Sequence, residues 1–333
     1  MTNEEHAKKI CELLEEEIVS VIASKLVTKP GIGEHLFYPE DARDLIPRGP
    51  RIIYSIDAYS INSLKLPWRT YSDIGWTSLT GAVSDVLSKG GIPHASLIAL
   101  GLTCNTNLGE LVEFVNGLLE AAKHYHVKIL GGDTNYSLED WIAVTVLGFT
   151  SAKIPPSRGG MRPGDYIIVT GVYGAMGYLA IHGIEKSISE KWVIDLTKRP
   201  ISRIETGYVI GEYYRLISAT MDVSDGLGYT LYTMSALSGY GIDIETPPRT
   251  PPQILSICGE NIRCMLDYTL IGGEEYGVVI VVKPKGLDNI VKELEHFKID
   301  FEIIGRVIDT LPGVFHKGER LSIKRYDQFK KWH

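Results

Sequence analysis

The chain has 333 residues, 44% hydrophobic and 23% charged, the make-up of an ordinary globular protein with length for two domains. Its 34 Lys plus Arg against 41 Asp plus Glu leave a net charge of −7, without the basic bias that draws proteins to nucleic acid or anionic membranes. No apolar run reaches the roughly eighteen residues of a membrane span, and the N-terminus, MTNEEHAKKICELLEEE, is too polar for a secretory signal. The expectation is a cytoplasmic protein. The four cysteines, Cys11, Cys104, Cys258 and Cys264, form no C-x-x-C pair, so reduced, buried thiols are expected rather than disulfides or a zinc site.

Apolar residues at helical spacing predict a helix over 4–27, ended by Pro30, Gly31 and Gly33. A long loop covers 28–50. A β-rich run, Arg51 to Asp57, ends on an acid. A helix over 73–90 carries Trp76, Leu79, Val83 and Val86 on one face, with Asp85 on the side of Ser78 and Gly81. A strand at 96–102, an amphipathic helix at 107–126, a short strand at 127–130 running into Gly131-Gly132-Asp133, and a strand at 141–150 follow. Residues 151–165, with three prolines and three glycines, place the domain boundary, giving domains 1–150 and 151–333. The second half reads as a strand at 166–170, a glycine-spaced turn and helix, helices near 201–218 and 226–238, and a strand at 241–245. A short helix near 261–270, a strand at 276–282, a helix at 286–297 and a strand at 301–307 close it. Each half is thus a mixed sheet covered by helices, an α/β (α+β) chain.

The acids are placed unevenly. Four clusters set a carboxylate beside glycine or a small residue at an element end: Ile56-Asp57-Ala58, Gly131-Gly132-Asp133-Thr134, Met221-Asp222-Val223-Ser224-Asp225-Gly226-Leu227, and Ile271-Gly272-Gly273-Glu274-Glu275-Tyr276. Each alone also reads as a helix cap or a turn. Together they point to a Mg²⁺–nucleotide site. Mg²⁺ takes hard oxygen ligands from a few carboxylates and fills its other positions with water and phosphate. Glycine lets backbone N–H groups approach phosphate. Converging carboxylates repel one another unless cations offset them. Gly171, Gly174 and Gly177 are spaced G-x-x-G-x-x-G, which is not the dinucleotide pattern.

In this order the segments VSDVLSKGGIP (83–93), ILGGDTN (129–135), SRGGMRPGDYIIVTG (157–171), MDVSDGL (221–227), IGGEEYGVVIVV (271–282) and IIGRV (303–307) resemble the thiamine-monophosphate kinases. Those kinases belong to the PurM-like, aminoimidazole-ribotide-synthetase-related superfamily. The resemblance implies two α/β domains, a homodimer joined through the N-terminal sheets, and ATP with several Mg²⁺ ions in a cleft between domains. It also implies ATP-dependent phosphoryl transfer to a small phosphorylated metabolite. Carried over by motif, Asp57, Asp85, Asp133, Asp222 and Asp225 are Mg²⁺ ligands, with Asp57, Asp133 and Asp222 central to catalysis. Gly132, Asp133, Arg158 and Ser224 fall on the nucleotide side, and Glu274 on the substrate side. The family's G-I-G-D-D-A element is matched either by Gly31-Ile32-Gly33 with Glu34 and His35, or, favoured by the spacing to Asp57, by Glu40-Asp41-Ala42, which makes Asp41 a ligand. The family's usual Thr is Ile56 here, its substrate-binding His falls on Leu64, and its C-terminal aromatic falls near Ile323.

Overall fold

A computed structural model describes residues 8–35, 45–324, 326–327 and 331–332. The chain divides into two compact units, residues 1–86 with 93–149, and residues 87–92 with 150–333.

The first unit is built on a four-stranded sheet of order β1-β4-β2-β3, with β1 Arg51–Ser60, β2 Ile92–Leu102, β3 Lys128–Tyr136 and β4 Trp141–Thr150. Its helices are α1 Glu15–Leu26, α2 Tyr71–Ser88 and α3 Leu108–His124. β2 and β3 run parallel, joined through α3. Alternation along β4 buries Ile142, Val144 and Val146 on the helix-covered face. Helices α2 and α3 cross with backbones nearly touching. A Cβ at Gly117 would lie 1.8 Å from the Ser72 carbonyl, and one at Gly75 2.2 Å from that of Phe114. The expected N-terminal helix is broken instead. A short turn at Ile10–Glu12 precedes α1, and Leu13 and Leu14 are extended. The cause is tertiary: Ile10 N–H donates to the Thr106 carbonyl, Leu108 N–H to that of Lys8, and Cys11 is bonded to Cys104.

The second unit holds a seven-stranded sheet of order β11-β10-β7-β9-β5-β8-β6. Its strands are β5 Tyr166–Thr170, β6 Ile217–Asp222, β7 Gly241–Ile244, β8 Val278–Val282, β9 Phe301–Ile308, β10 Gly313–His316 and β11 Glu319–Arg320. The helices are α4 Ala175–Ser187, α5 Lys191–Thr197, α6 Ile204–Glu212, α7 Leu227–Ser238, α8 Pro252–Cys258, α9 Ile262–Thr269 and α10 Leu287–His296. β8, sequence VVIVV, is buried along its whole length because helices cover both faces of the sheet. Val279 and Val281 pack with Leu227, Leu231 and Leu266 of α7 and α9. Val278, Ile280 and Val282 pack with Val209, Ile290 and Leu294 of α6 and α10.

The cysteines overturn the expectation of free thiols: Cys11–Cys104 and Cys258–Cys264 are disulfides, with Cα separations of 4.8 and 5.5 Å. No helix among the described residues is long and apolar enough to cross a membrane.

Candidate functional site

In the second unit the motifs Asp222–Gly226 and Gly272–Tyr276, fifty residues apart in sequence, interlock through their backbones. Asp222 ends β6, and Val223 N–H donates to the Gly277 carbonyl (2.9 Å). Tyr276 N–H donates to Val223 (3.0 Å) and Glu274 N–H to Ser224 (2.8 Å). The approach leaves no space for side chains. A Cβ at Gly226 would sit 2.3 Å from the Gly272 carbonyl oxygen, and one at Gly273 2.6 Å from that of Ser224. Glu274 (φ 59°) and Tyr276 (φ 47°) are held in the left-handed region, a cost of roughly 1–2 kcal/mol each, which the interlock sustains.

A third glycine turn meets the same place. Gly174 (φ 119°) opens α4, a Cβ at Gly177 would lie 1.7 Å from the Tyr268 carbonyl, and a Cβ at Gly272 would lie 2.9 Å from Gly177 N. The glycines of 171–177 therefore serve packing against α9 and the 271–277 loop.

Gly226, rather than one of the acids of Asp222–Asp225, occupies the N-cap of α7. Asp222 is buried, Ser224 half-buried and Asp225 exposed. Two further groups, which the motif reading passed over, stand beside them. The Glu275 carboxyl is pushed well above the ordinary carboxylate range by burial. Tyr173 is fully buried and donates to the Thr170 carbonyl (2.9 Å); burial, then Glu275 and Asp222, raise its hydroxyl pKa. Adjacency to Glu274 was the sequence signal for Glu275; Tyr173 had none. Arg158 is exposed on a loop anchored to β6, where Thr220 N–H donates to the Ser157 carbonyl (2.9 Å).

The first unit holds its acids differently. Asp57 lies on the covered face of β1, accepting a hydrogen bond from the Tyr59 hydroxyl (3.0 Å), and its Oδ2 is 3.1 Å from where a Gly81 Cβ would be. Asp85 is one turn beyond Gly81 on α2. From Asp73 to Ser88 it alone escapes full burial, so its side of the helix is not a solvated face. The hydroxyls of Thr77, Ser78, Thr80 and Ser84 bond back to carbonyls of their own helix, which lets so polar a helix lie buried. Gly132 and Asp133 lie inside β3, not in a turn after it. Asp133 pairs in register with Ala99, between buried Ile98 and Leu100, so it leaves the sheet on the uncovered face and is exposed, bonded to Asn135 Nδ2 (2.6 Å). Asp57 and Asp133 thus emerge from opposite faces. Gly132 allows the close pairing, since a Cβ there would be 1.7 Å from the Ile98 carbonyl.

Of the two candidate N-terminal pairs, the one with Glu34 and His35 has its acid committed elsewhere. Glu34 is buried, pairs with Lys128 Nζ (2.5 Å), and accepts from Gly31 N–H (2.7 Å). Glu40 and Asp41 lie outside the described residues. Leu64 is buried, whereas Ile323 Cδ1 is 3.3 Å from where a Gly228 Cβ would lie, at the start of α7. No group of three or more His, Cys, Asp or Glu among the described residues forms a ready metal cage. The donors are hard oxygens, which suits Mg²⁺, an ion that binds by one or two carboxylates with waters and phosphates.

The family model for AIR synthase related protein, N-terminal domain, matches residues 40–150, and that for the C-terminal domain residues 162–317. The thiamine-monophosphate kinase of Methanospirillum hungatei is 31% identical over 241 residues, spanning 72% of this chain and 75% of its own length. The chain belongs to the thiamine-monophosphate kinase family. Family membership extends over most of the chain. The thiamine-monophosphate kinase of Pyrococcus horikoshii is 28% identical over 278 residues, 81% of this chain and 82% of that one. The solved structure of AaThiL, from Aquifex aeolicus, complexed with AMPPCP and TMP, is 26% identical with a TM-score of 0.70, covering 84% of this chain and 87% of that one. The fold is the family's PurM-like arrangement, as the sequence motifs implied.

Proposed function

We propose that this protein transfers the γ-phosphoryl group of ATP to thiamine monophosphate, giving thiamine diphosphate and ADP, with Mg²⁺ required. The observation that carries the reading is the interlock of Asp222–Gly226 with Gly272–Tyr276, found in a chain of this family. It fixes carboxylates of both motifs on rigid backbone. In-line phosphoryl transfer asks for that: a phosphate oxygen of the acceptor attacks the γ-phosphorus while the bond to the ADP oxygen breaks, and the protein supplies positioning and charge balance.

Asp222 and Asp225, with Asp57, Asp85, Asp133 and Asp41, are the residues we assign to Mg²⁺, which when bound neutralises phosphate charge. Ser224, Arg158 and the backbone at Gly132 are assigned to the nucleotide, and Glu274 to the acceptor. The proposal includes a homodimer across the uncovered face of the four-stranded sheet, where Ile52, Tyr54, Ile56 and Leu97 are exposed.

The test is ADP release and thiamine diphosphate formation with Mg-ATP and thiamine monophosphate. Product that disappears on chelation with EDTA supports the reading; no thiamine diphosphate from thiamine monophosphate overturns it. Aliphatic Leu64 and Ile323, at positions where the family carries His and an aromatic ring, favour one competing reading, a different phosphorylated acceptor. Faster ADP release with another phosphate ester would establish it.

A further inference from the structure

One face of the second unit carries a recess that the phosphoryl-transfer reading does not use. It is an open cavity of about 430 Å³ lined by Tyr178, His182 and Lys186 of α4, Glu190 and Trp192 at the start of α5, and Tyr268 of α9. Its floor is aromatic. The rings of Tyr178 and Tyr268 are stacked with centroids 6.2 Å apart, Trp192 meets Tyr178 edge-on at 5.1 Å, and His182 lies 4.3 Å from Tyr178. Tyr178 and Tyr268 are buried, whereas His182 and Trp192 are half-buried walls.

The backbone is shaped to make it. Gly183 interrupts α4 at φ 77°, ψ 173°, and a Cβ there would meet open space, so conformation alone demands glycine. Around this break Lys186 comes back over its own helix, its Nζ 3.5 Å from His182 Nδ1 and 5.7 Å from the Tyr178 ring centroid.

The hydrogen bonds set the polarity of the recess. A lysine ammonium can only donate, so His182 Nδ1 accepts and its Nε2–H donates to the Tyr268 oxygen, 3.0 Å away. Burial and Lys186 lower the His182 pKa, which agrees with a neutral ring. Glu190 accepts from the Trp192 indole N–H (3.1 Å). Glu190 keeps acceptor capacity at the rim, and Gln253 and Ser256 line the far side, while the Tyr268 O–H and the remaining Lys186 N–H groups are donors beside the aromatic floor. An aromatic floor with an ammonium and a hydroxyl donor at its edge suits a flat ring that carries negative charge on one side.

We infer that this recess is a second binding site, for a planar aromatic or heteroaromatic anion, with the ring against Tyr178, Trp192 and Tyr268 and the anionic group on Lys186 and the Tyr268 hydroxyl. α4 and α9, which form it, also carry Gly177 and lead into the Gly272 loop, so occupancy bears on the segments that build the Asp222 site.

The experiment is calorimetric titration of the full chain with two probes, adenosine 5′-monophosphate and indole-3-acetate, in the presence of saturating Mg-AMPPCP to fill any ATP site. Adenosine and inorganic phosphate, each half of the recognised chemistry, are the controls. The expected result is saturable binding of at least one probe, with both controls weaker. AMP alone would identify a nucleotide phosphate and indole-3-acetate alone an aromatic carboxylate. Lys186→Glu, on an exposed side chain, weakens binding about tenfold, Trp192→Ala about tenfold, and Asp222→Asn leaves it unchanged. Absence of binding by both probes, or wild-type affinity in Lys186→Glu, overturns the site.

Discussion

The two units hold their candidate acids by different means. In the second unit three glycine turns press together until backbone meets backbone, and Asp222 and Glu274 ride on that junction. In the first unit the acids sit on regular elements: Asp57 and Asp133 on opposite faces of one sheet, and Asp85 on a buried helix. A site built of interlocked loops depends on every glycine in them. A site built on strand and helix depends on the side chains it displays and tolerates more around them.

The largest expected effect is chemical. Asp222→Asn lowers turnover about 10²–10³-fold with the melting temperature near wild type; a variant that keeps wild-type, Mg²⁺-dependent turnover would break the assignment of the junction as the reacting centre. Next come the glycines. Gly226→Ala and Gly273→Ala each put a Cβ against a carbonyl oxygen that cannot move away, and a loss of about 2–4 kcal/mol in denaturant titration is expected. Gly131→Ala in the first unit sharpens the contrast. Its Cβ would meet nothing within 4 Å and only its φ of 155° is unfavourable, so the expected loss is about 1 kcal/mol. Equal losses at Gly131 and Gly226 would erase the distinction between the units.

The smallest effect is in pH dependence. His94 is buried with Nε2 unpartnered among the described residues; burial first, then Arg48 and Lys128, lower its pKa. The unfolded chain therefore takes up a proton near pH 6.5 that the fold resists. The stability from this group is complete above that pH and declines as the pH falls toward the folded value. His94→Gln should flatten the fall in melting temperature between about pH 7.5 and 5.5. An unchanged slope would show that other groups control it.

Much of this architecture is legible in the residues. The strands at 141–150 and 166–170 have the bounds that alternation and apolar runs indicate, and α2 and α3 differ from expectation by only a few residues. What escaped depends on distant partners. The helix expected over 201–218 stops at Glu212, and Ile217–Asp222 becomes β6 because it pairs with β8. The first helix splits where the chain pairs with residues 104–108. The β10–β11 hairpin, α5 and α8 are too short to show a period. In the site, the motifs were visible as acids beside glycines, but their interlock was not, because a backbone contact between residues 226 and 272 leaves no mark in side-chain pattern. Asp133 was expected just beyond the end of a short strand at 127–130. The strand continues through Gly131 instead, where the register with β2 shifts by one residue.

The Cys11–Cys104 bond makes residues 11 to 104 a covalent ring that encloses α1, β1, α2 and β2. In the chain-entropy model a closure of this length restrains the unfolded chain by about 4–5 kcal/mol, against about 2 kcal/mol for the short Cys258–Cys264 loop. The ring also changes what a protease can do. A single cut anywhere between residues 12 and 103 opens the ring without parting the pieces. The nicked protein would run as one species on a denaturing gel without reductant and as two after reduction.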